Sequence, residues 1–488
     1  MQVFLNSQGY SYDVHSLVKA FYPEQDVKIE MYEEKGLSFD EGLLVYVSSG
    51  EVDKEETVSG VIECRFRDFN NDKEVREEYK EADRTAVKSL LKRVLYGLLS
   101  DITGKSLPWG TLTGIRPTKI PMKMICEGKN DFQIKEYMQD EYLCSEGKIS
   151  LATSIAHLEK NIVDSVSSDG YSLYIGIPFC PTTCLYCSFT SYPIVSWAAR
   201  TGEYLECLKK EILSVRELFP DKAPDSVYIG GGTPTTLTAE QLRELIDFVR
   251  RTIDCSKIQE FTVEAGRPDS ITEEKLIALY ESGVTRLSIN PQTMNDKTLK
   301  IIGRQHTVSQ IYDAFEMARR IGFDNINTDL ILGLLGEDEE DVKYTFDKIK
   351  ELAPDSITVH SMAIKRAAGM HKFLDEHDDI KSINTPGMLE MAEECARSLG
   401  MDPYYLYRQK NMSGNFENVG YARKGKYGIY NILIMEEVQT IIACGAGTVT
   451  KRVYGDGRIE RCDNVKDVAL YISKIEEMID RKRQLFAD

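Results

Sequence analysis

Six short apolar runs, each followed by an amphipathic stretch, constrain the fold of this 488-residue chain more than any other feature. Between the runs lie stretches with apolar residues at helical spacing, such as AEQLRELIDFVRR and VSQIYDAFEMARRIG. Alternating strands and helices predict a parallel sheet with helices outside it. Six units are fewer than the eight of a closed barrel, so we predict an α/β fold built on a partial, open, TIM-like (βα)6 barrel. The runs are SLYIGI (172–177), SVYIGG (226–231), FTVEAG (261–266), RLSINP (286–291), NINTDLILG (325–333) and SITVHSM (356–362).

The segments on either side of this pattern predict two further regions. Residues 1–60 look rich in strands, as in GLLVYVSS and TVSGVIECRFR, and helical periodicity follows over 74–100 and 146–166. We therefore predict an N-terminal α+β accessory domain over 1–166, ending at the polar turn SSDG. The barrel would occupy 167–385, and a C-terminal extension would occupy 386–488. Within that extension, IIACGAGTVTKR predicts a buried strand followed by a turn.

Composition limits the classes of partner. The formal net charge is −18, and phosphate binding needs a concentrated basic surface, so we predict no nucleic-acid partner. The first residues, MQVFLNSQGY, lack a basic stretch followed by an apolar run, and no apolar run approaches the roughly 18 residues of a membrane helix. We predict a cytoplasmic protein without a membrane partner. The lack of a long apolar helix predicts a monomer.

Three cysteines follow the first predicted strand with the spacing C-x3-C-x2-C. Cys180, Cys184 and Cys187 fall in the first βα loop, at the end of a barrel where chemistry is usually located. Thiolates at this spacing can bind zinc or an iron–sulfur cluster. Structural zinc usually takes four ligands, but the neighbouring histidines in the sequence are as distant as His157 and His306. Three thiolates on a four-iron cluster leave one iron open to a small ligand.

The other eight cysteines are scattered, and we predict that they behave as small buried apolar residues.

Other predicted strands end in residues suited to binding. GGGTPT, over 230–235, lets backbone N–H groups approach a polar ligand, although a simple tight turn has the same composition. Glu264 ends the third strand, where exposure to water is the simple alternative. Asp329 lies inside an apolar run, where a carboxylate is costly unless it is paired or hydrogen-bonded.

The motif C-x3-C-x-Y-C, preceded by YIGIPF, closely resembles the radical S-adenosylmethionine (SAM) enzymes, and specifically the oxygen-independent coproporphyrinogen III oxidase family. LPWGTLTGIRPTK resembles its HemZ-type coproporphyrinogen dehydrogenase branch; a haem-chaperone branch also exists. The resemblance implies that Cys180, Cys184 and Cys187 hold a [4Fe–4S] cluster whose open iron binds SAM. It further implies SAM contacts from Tyr174, Tyr186, Gly231, Gly232, Thr233, Glu264, Gln292, Arg304, Asp329 and Ala363.

Three positions depart from the best-known oxidases. Gly176 stands where they have His, Phe189 where they have a further Cys, and Leu335 where GLLGE replaces GLPGE. The HemZ-type branch shares these departures. The resemblance also implies that the C-terminal region, including YLYRQKNMSGNFENVGY, helps to close the substrate site; a surface loop is the alternative.

The resemblance implies oxidative decarboxylation of coproporphyrinogen III to protoporphyrinogen IX in anaerobic haem synthesis. A 5′-deoxyadenosyl radical would start the reaction, and a flavodoxin-like or ferredoxin-like protein would donate the electron. The radical step needs no protein acid–base pair, so no catalytic side chain is named. Cations for the tetrapyrrole carboxylates would come from Lys365, Arg366 or Arg408, since Arg binds carboxylates bidentately.

Three alternatives stay open at this point. The first is a haem-binding chaperone, with His306, His360 or Tyr421 as an axial ligand. The second is another radical reaction on a tetrapyrrole, such as methyl transfer with ring opening. The third is a structural zinc module.

Overall fold

A computed structural model of the protein resolves two compact units, Met1–His157 and Leu158–Asp488. The structure describes residues 1–33, 37–48, 58–114, 116–167, 170–363, 370, 373, 376–377, 380–409 and 416–487. The predicted SSDG turn therefore lies partly outside the described residues. The predicted division into 1–166, 167–385 and 386–488 stays a prediction.

The first unit is an α+β unit with a five-stranded sheet. Its strands are ordered β2-β1-β3-β4-β5, with the first three parallel and the others antiparallel. The elements are β1 (Gln2–Leu5), α1 (Ser11–Phe21), β2 (Lys28–Met31), β3 (Gly42–Val47), β4 (Val58–Arg67), β5 (Asp72–Ala82), α2 (Arg84–Thr103), α3 (Lys119–Cys126), α4 (Asp131–Tyr142) and α5 (Glu146–Val163), whose last residues belong to the second unit.

The helix predicted over 74–100 is wrong in its first third. Residues 72–82 form β5, which pairs with β4 through a turn in which the Asp68 side chain accepts from the amides of Asn70 and Asn71. Pairing along β4 outweighs the helix preference of the Glu and Lys residues. Helix α2 begins only after Asp83, whose carboxylate accepts a hydrogen bond from the amide of Ala86 at 2.7 Å, and it ends at Thr103 with Gly104 as its C-cap.

Helix α1 lies in the stretch that we expected to contain strands. Its buried residues, Val14, Leu17, Val18 and Phe21, follow helical spacing. That period was readable in the sequence.

The second unit contains the six predicted barrel strands in the predicted order. The elements are β6 (Tyr171–Ile177), β7 (Phe179–Cys180), β8 (Tyr192–Pro193), α6 (Thr201–Leu218), β9 (Pro224–Gly231), α7 (Ala239–Thr252), β10 (Glu260–Gly266), α8 (Glu273–Glu281), β11 (Arg286–Ile289), α9 (Asp296–Ile301), α10 (Val308–Ile321), β12 (Ile326–Leu332), α11 (Glu339–Leu352) and β13 (Ser356–Ser361). Strands β6 and β9–β13 are parallel neighbours, which confirms the partial barrel.

These strands are buried along nearly their whole length, as expected of a parallel sheet covered on both faces. Removing each aliphatic side chain from water contributes about 1.5–3 kcal/mol. Polar caps begin the outer helices: Thr238 caps α7, Thr307 caps α10 and Asp338 caps α11, each as a capping box. The acidic run GEDEEDVK therefore starts a helix.

The C-terminal residues extend the same sheet at both edges. They form α12 (Pro386–Ser398), β14 (Asp402–Tyr407), β15 (Asn418–Ala422), α13 (Ile429–Glu436), β16 (Thr440–Cys444), β17 (Val449–Val453), β18 (Ile459–Asp463), α14 (Val468–Ser473) and α15 (Ile475–Leu485). Antiparallel β15 joins β13, and β16 lies parallel to β6 as a seventh parallel strand, which the six-unit pattern did not predict. The strand and turn predicted for IIACGAGTVTKR are confirmed.

Two further observations bear on the sequence predictions. Six of the eight scattered cysteines are buried as predicted, but Cys126 is exposed and Cys255 is partly exposed. No helix in the part of the chain that the structure describes combines the length and apolar character needed to cross a membrane.

Candidate active site

The three clustered thiols lie in the loop that follows β6. Cys180 ends the short strand β7, and Cys184 and Cys187 occupy the stretch before β8. All three are partly exposed, and the amide of Cys187 donates to the carbonyl of Cys184 at 3.1 Å. The sequence therefore places the three thiols on one short loop at the carboxyl end of the first barrel strand.

The arrangement of these thiols bears on which metal they suit. Among the described residues, no three His, Cys, Asp or Glu side chains are grouped as the ligands of a single metal ion would be. Structural zinc needs four such converging ligands, whereas the thiolates of an iron–sulfur cluster bind different irons. Burial raises the pKa of Cys180 to about 11, against the hydrogen bond from Thr233, which lowers it. Bound iron would therefore have to drive this thiol to its thiolate form.

The glycine turn after β9 lies directly against the cysteine loop. Gly231 has φ +109°, a conformation that favours glycine, and the amide of Gly232 donates to the Ile177 carbonyl at 2.8 Å. A Cβ on Gly232 would lie 2.5 Å from the Phe179 carbonyl oxygen. The Thr233 hydroxyl donates to Sγ of Cys180 at 3.5 Å. Because Gly231 and Gly232 have no side chains, the end of β9 can approach the ends of β6 and β7 closely. The next residue of the turn, Thr233, places its hydroxyl against the thiol of Cys180.

Glu264 is anchored by two hydrogen bonds at the end of β10. The Tyr228 hydroxyl donates to its Oε1 at 2.6 Å, and the Gly231 amide donates to its Oε2 at 3.3 Å. Burial raises the pKa of Glu264 to about 7, although both hydrogen bonds lower it. The rings of Tyr174 and Tyr430 stack with Tyr228, and the ring centroids of Tyr228 and Tyr430 lie 4.6 Å apart. Glu264 is therefore half-buried, and protein groups hold both of its carboxylate oxygens in place.

Gln292 and Arg304 lie beyond β11 in constrained settings. Gln292 is 7% exposed and adopts φ +70°, which is strained for a residue other than glycine. Arg304 is buried, and one of its terminal nitrogens donates to the carbonyl of Asn290. Burial alone would lower the pKa of Arg304, but the nearby Tyr186 hydroxyl and Cys184 thiol raise it. This contact brings Tyr186, within the cysteine motif, to the same region as Arg304.

Several buried polar atoms near this point have no partner among the described residues. They are Gln292 Oε1, Arg304 Nε and both ring nitrogens of His306. Unsatisfied buried polar atoms are rare because each costs free energy. Together with the thiol loop and the glycine turn, they fit a polar cofactor that supplies the missing hydrogen bonds.

Asp329 and His360 face each other from neighbouring strands. Asn327 donates to Oδ1 of Asp329 at 2.8 Å, and Nε2 of His360 lies 3.9 Å from Oδ2. The other ring nitrogen of His360 lies 3.2 Å from the Tyr407 hydroxyl. Burial raises the pKa of Asp329, but His360 and Asn327 lower it, and the net shift is downward. Ala363 follows two residues beyond β13, so it also lies at the carboxyl edge.

Two of the three departures from the family pattern line one small cavity of about 80 Å³. Gly176 and Phe189 share it with the turn after β16. A Cβ on Gly176 would lie only 2.6 Å from Cγ2 of Thr448. A histidine therefore cannot replace Gly176 unless this turn moves. Phe189 is 71% exposed.

The remaining predicted residues are less clearly part of the site. Arg408 is buried at the end of β14, whereas Lys365 and Arg366 lie outside the described residues. Leu335, the third departure, is fully buried, and Tyr421 on β15 is 5% exposed.

Sequence reasoning missed Tyr228 and Tyr430 beside Glu264, and it missed the approach of His360 to Asp329. Tyr228 precedes Gly230 by two residues and so shares its face of β9, which was a usable signal. Tyr430 comes from α13, far away in the sequence, and nothing local identified it. His360 appeared only as a possible axial ligand, whereas here it contacts Tyr407.

Comparison with known proteins agrees with this geometry. The radical SAM superfamily model matches residues 174–349. The oxygen-independent coproporphyrinogen-III oxidase-like protein HemZ of Bacillus subtilis is 38% identical over 476 residues, covering 94% of each chain. The heme chaperone HemW of the same organism is 39% identical over 195 residues, covering 40% of this chain and 51% of that protein.

The solved structure of coproporphyrinogen III oxidase HemN from Escherichia coli has the same fold. It superposes with a TM-score of 0.50 at 22% identity, over 66% of this chain and 73% of that one. The cofactors of this superfamily are a [4Fe–4S] cluster and SAM, and the thiols and unsatisfied polar atoms described above fit both. By fold, motif and near full-length similarity, the chain belongs to the radical SAM superfamily and, within it, to the HemZ-type branch of the oxygen-independent coproporphyrinogen III oxidase family.

Proposed function

We propose that the protein is a radical SAM oxidoreductase that decarboxylates coproporphyrinogen III to protoporphyrinogen IX without oxygen. The observation that carries the proposal is the full-length similarity to an oxidase-like relative, 38% over 94% of the chain. The convergence of thiols, glycine turn and unsatisfied polar atoms at one sheet edge supports it. The reaction would serve anaerobic haem synthesis.

Each part of the site has a role in this proposal. Cys180, Cys184 and Cys187 would hold the cluster, whose open iron takes the amino and carboxylate groups of SAM. The methionine part of SAM would lie against the glycine turn. The residues proposed to bind SAM, by position in the family motif, are Tyr174, Tyr186, Gly231, Gly232, Thr233, Glu264, Gln292, Arg304, Asp329 and Ala363.

When bound, the two cofactors supply a 5′-deoxyadenosyl radical that removes a hydrogen atom from a propionate β-carbon. The resulting propionate radical would lose carbon dioxide and pass one electron to an external one-electron acceptor, which leaves a vinyl group, and two such rounds would complete the product. The chain's contribution is to bind, orient and exclude water. The stacked rings of Tyr174, Tyr228 and Tyr430 provide an apolar wall beside Glu264.

The remaining assignments concern partners. A flavodoxin-like or ferredoxin-like protein would supply the electron that starts each round. Of the three cations predicted for the substrate carboxylates, Arg408 is the one among the described residues, and its guanidinium would bind a carboxylate bidentately. We further propose a cytoplasmic monomer.

A second candidate function is haem binding and delivery. The observation that favours it is the pair of departures at Gly176 and Phe189, in a chain that also matches a heme chaperone at 39% identity over 195 residues. Of the three proposed axial ligands, His360 contacts Tyr407, and His306 and Tyr421 are buried. Another radical reaction on a tetrapyrrole would use the same cofactors and a different product.

An anaerobic turnover assay separates these functions. The full chain with reconstituted cluster would be given SAM, a reductant and coproporphyrinogen III, and products would be followed by mass spectrometry. Carbon dioxide release in step with 5′-deoxyadenosine is expected. Cleavage of SAM without decarboxylation would reject the oxidase proposal, and a stable haem complex without turnover would favour the chaperone. Protein lacking iron serves as the control.

A further inference from the structure

A buried arginine, Arg267, forms an ion pair beside the cysteine loop with the partly exposed carboxylate of Asp269. Arg267 is 2% exposed, and two of its nitrogens donate to the two carboxylate oxygens of Asp269 at 3.1 and 2.7 Å. The third nitrogen donates to the carbonyl and hydroxyl oxygens of Thr182 at 3.0 and 2.7 Å. It also lies 4.0 Å from Sγ of Cys184. The guanidinium of Arg267 therefore links the carboxylate of Asp269 to Thr182 and Cys184 within the cysteine motif.

The backbone holds Arg267 rigidly in this position. The pairing of β10 with β11 shifts register between Glu264 and Gly266, and Gly266 has φ +66°. Such an irregularity re-aims the side chains that follow it. The carbonyl of Arg267 then accepts from both the amide and the hydroxyl of Ser270, at 3.0 and 2.8 Å. Glu264 and Arg267 thus leave the same strand end towards different parts of the site.

Thr182 connects this contact to the turn that follows α9. Its hydroxyl accepts from Arg267 and donates to the carbonyl of Gly303 at 3.1 Å. The amide of Leu185 donates to the carbonyl of Ile302 at 3.0 Å. The loop between Cys180 and Cys184 is therefore held both by the end of β10 and by the turn after α9.

We propose that Arg267 is a positioning residue for the cluster loop and that the Arg267–Asp269 pair sets the reduction potential of the cluster. Reduction adds one negative charge to a cluster. A nearby buried cation favours the reduced state and a nearby carboxylate disfavours it, because fixed charges act strongly where water is excluded. The inference rests on that part of the proposed function which gives Cys180, Cys184 and Cys187 the cluster, and it does not depend on the tetrapyrrole substrate.

Three variants of the full chain test this proposal: Arg267→Gln, Asp269→Asn and Arg267→Lys. Each would be reconstituted anaerobically, analysed for iron and sulfide per chain, and titrated with the reduced cluster followed by electron paramagnetic resonance. Arg267→Gln is expected to lower the midpoint potential, and Asp269→Asn is expected to raise it. Arg267→Lys keeps the charge but loses the fork that reaches Asp269 and Thr182 together. It should therefore stay nearer the wild-type potential while retaining less iron.

Opposite signs for the two charge-removing variants are the decisive result. Wild-type potentials in both, or shifts in the same direction, would overturn the proposal. If Arg267→Gln retains no iron, Asp269→Asn decides alone, since it leaves the contacts to Thr182 in place. Arg243→Gln, which removes one partner of the exposed Arg243–Glu281 pair, is the matched control and should change nothing. Absence of decarboxylation by the wild-type protein would reject the oxidase activity while leaving this measurement intact.

Discussion

The two sides of the candidate site differ in how far their polar groups are satisfied by the protein itself. On the β9–β10 side (Gly231, Gly232 and Glu264), both carboxylate oxygens of Glu264 accept hydrogen bonds and the glycines fit tightly against β6. On the β11 side (Gln292, Arg304 and His306), a strained backbone accompanies buried polar atoms without partners among the described residues. On the first side, the protein itself satisfies the hydrogen bonds of the carboxylate. On the second side, the strained backbone and the unpaired polar atoms cost folding free energy, which a bound ligand can offset.

Loss of one proposed cluster ligand should have the largest effect. Cys184→Ser is expected to abolish SAM cleavage and to lower iron per chain, because serine does not replace a thiolate on iron. Iron analysis and 5′-deoxyadenosine formation are the measurements. Cys126→Ser, at an exposed thiol, is the control and should keep both. Full iron content in Cys184→Ser would contradict the ligand assignment.

On the β9–β10 side, added bulk should be harmful. Gly232→Ala puts a Cβ 2.5 Å from the Phe179 carbonyl, so we expect a loss of about 1–3 kcal/mol in the free energy of unfolding and weaker SAM binding. Denaturant unfolding and equilibrium binding measure the two effects.

Gly97→Ala provides the matched control for that change. Gly97 lies inside α2, and a Cβ there meets nothing within 4 Å, so the same substitution should stabilise by about 1 kcal/mol. Equal effects at the two glycines would show that the turn after β9 is not tightly built.

On the β11 side, two substitutions of Gln292 should have the same effect on SAM binding but different effects on stability. Gln292→Gly and Gln292→Ala both lose the amide and should weaken SAM binding equally. Glycine relieves the positive φ, so Gln292→Gly should be more stable than Gln292→Ala by about 1 kcal/mol. Ala353→Gly, at φ +47° after α11, should gain stability with no change in SAM binding. Unchanged SAM affinity in both Gln292 variants would remove Gln292 from the site.

Titration distinguishes the carboxyl groups of Glu264 and Asp329. The pKa of Glu264 is raised to about 7, so its contribution to stability is present below the ordinary value near 4.3 and is lost as pH rises through about 7. The pKa of Asp329 is lowered, so its contribution is present above about 3.9 and is lost as pH falls.

The expected outcome is therefore a pair of opposite pH profiles for cofactor-free protein. In the wild-type protein the denaturation midpoint should fall between about pH 5 and about pH 8, the range around the raised pKa of Glu264. Glu264→Gln should make this fall smaller. Asp329→Asn should instead change the profile only on the acid side. A Glu264→Gln profile parallel to wild type would contradict the raised pKa.

The contact between Gly176 and Thr448 offers a last test, which lies outside both sides of the site. Gly176→Ala alone should destabilise by about 1–2 kcal/mol, because its Cβ would lie 2.6 Å from the Thr448 methyl group. Thr448→Ser removes that methyl and keeps the hydroxyl that donates to the Gly445 carbonyl at 2.8 Å. The double variant should recover most of the loss, with a coupling of about 1 kcal/mol in a double-mutant cycle. Additive effects would mean that the turn relaxes freely.

The sequence predictions succeeded where the signal is local in the sequence and failed where the structure depends on contacts between distant segments. The six barrel strands and the position of the cysteine loop were predictable because apolar periodicity and strand-end positions are local signals. β5 was misjudged because pairing with β4 overrode the helix preference of residues 74–82. β16 was recognised as a strand, but nothing local showed that it pairs with β6.

The candidate site shows the same division. Glu264 and Asp329 could be named from position, whereas Tyr430 and Tyr407 approach from elements remote in sequence. Arg267 was missed although its setting was visible, with a strand end and Gly266 before it and Pro268 and Asp269 after it. An arginine in such a setting, with an acid two residues later, is suited to a local ion pair.

The pairing of β16 with β6 has a consequence for synthesis on the ribosome. The Ser172 hydroxyl donates to the side chain of Gln439, 267 positions later in the chain. Until β16 emerges, the outer edge of β6 offers unpaired backbone groups to any neighbouring nascent chain. The cysteine loop begins at that strand, so a metal-delivery system acting during translation would meet a site whose support is still missing. Cluster insertion is therefore expected to follow release of the finished chain.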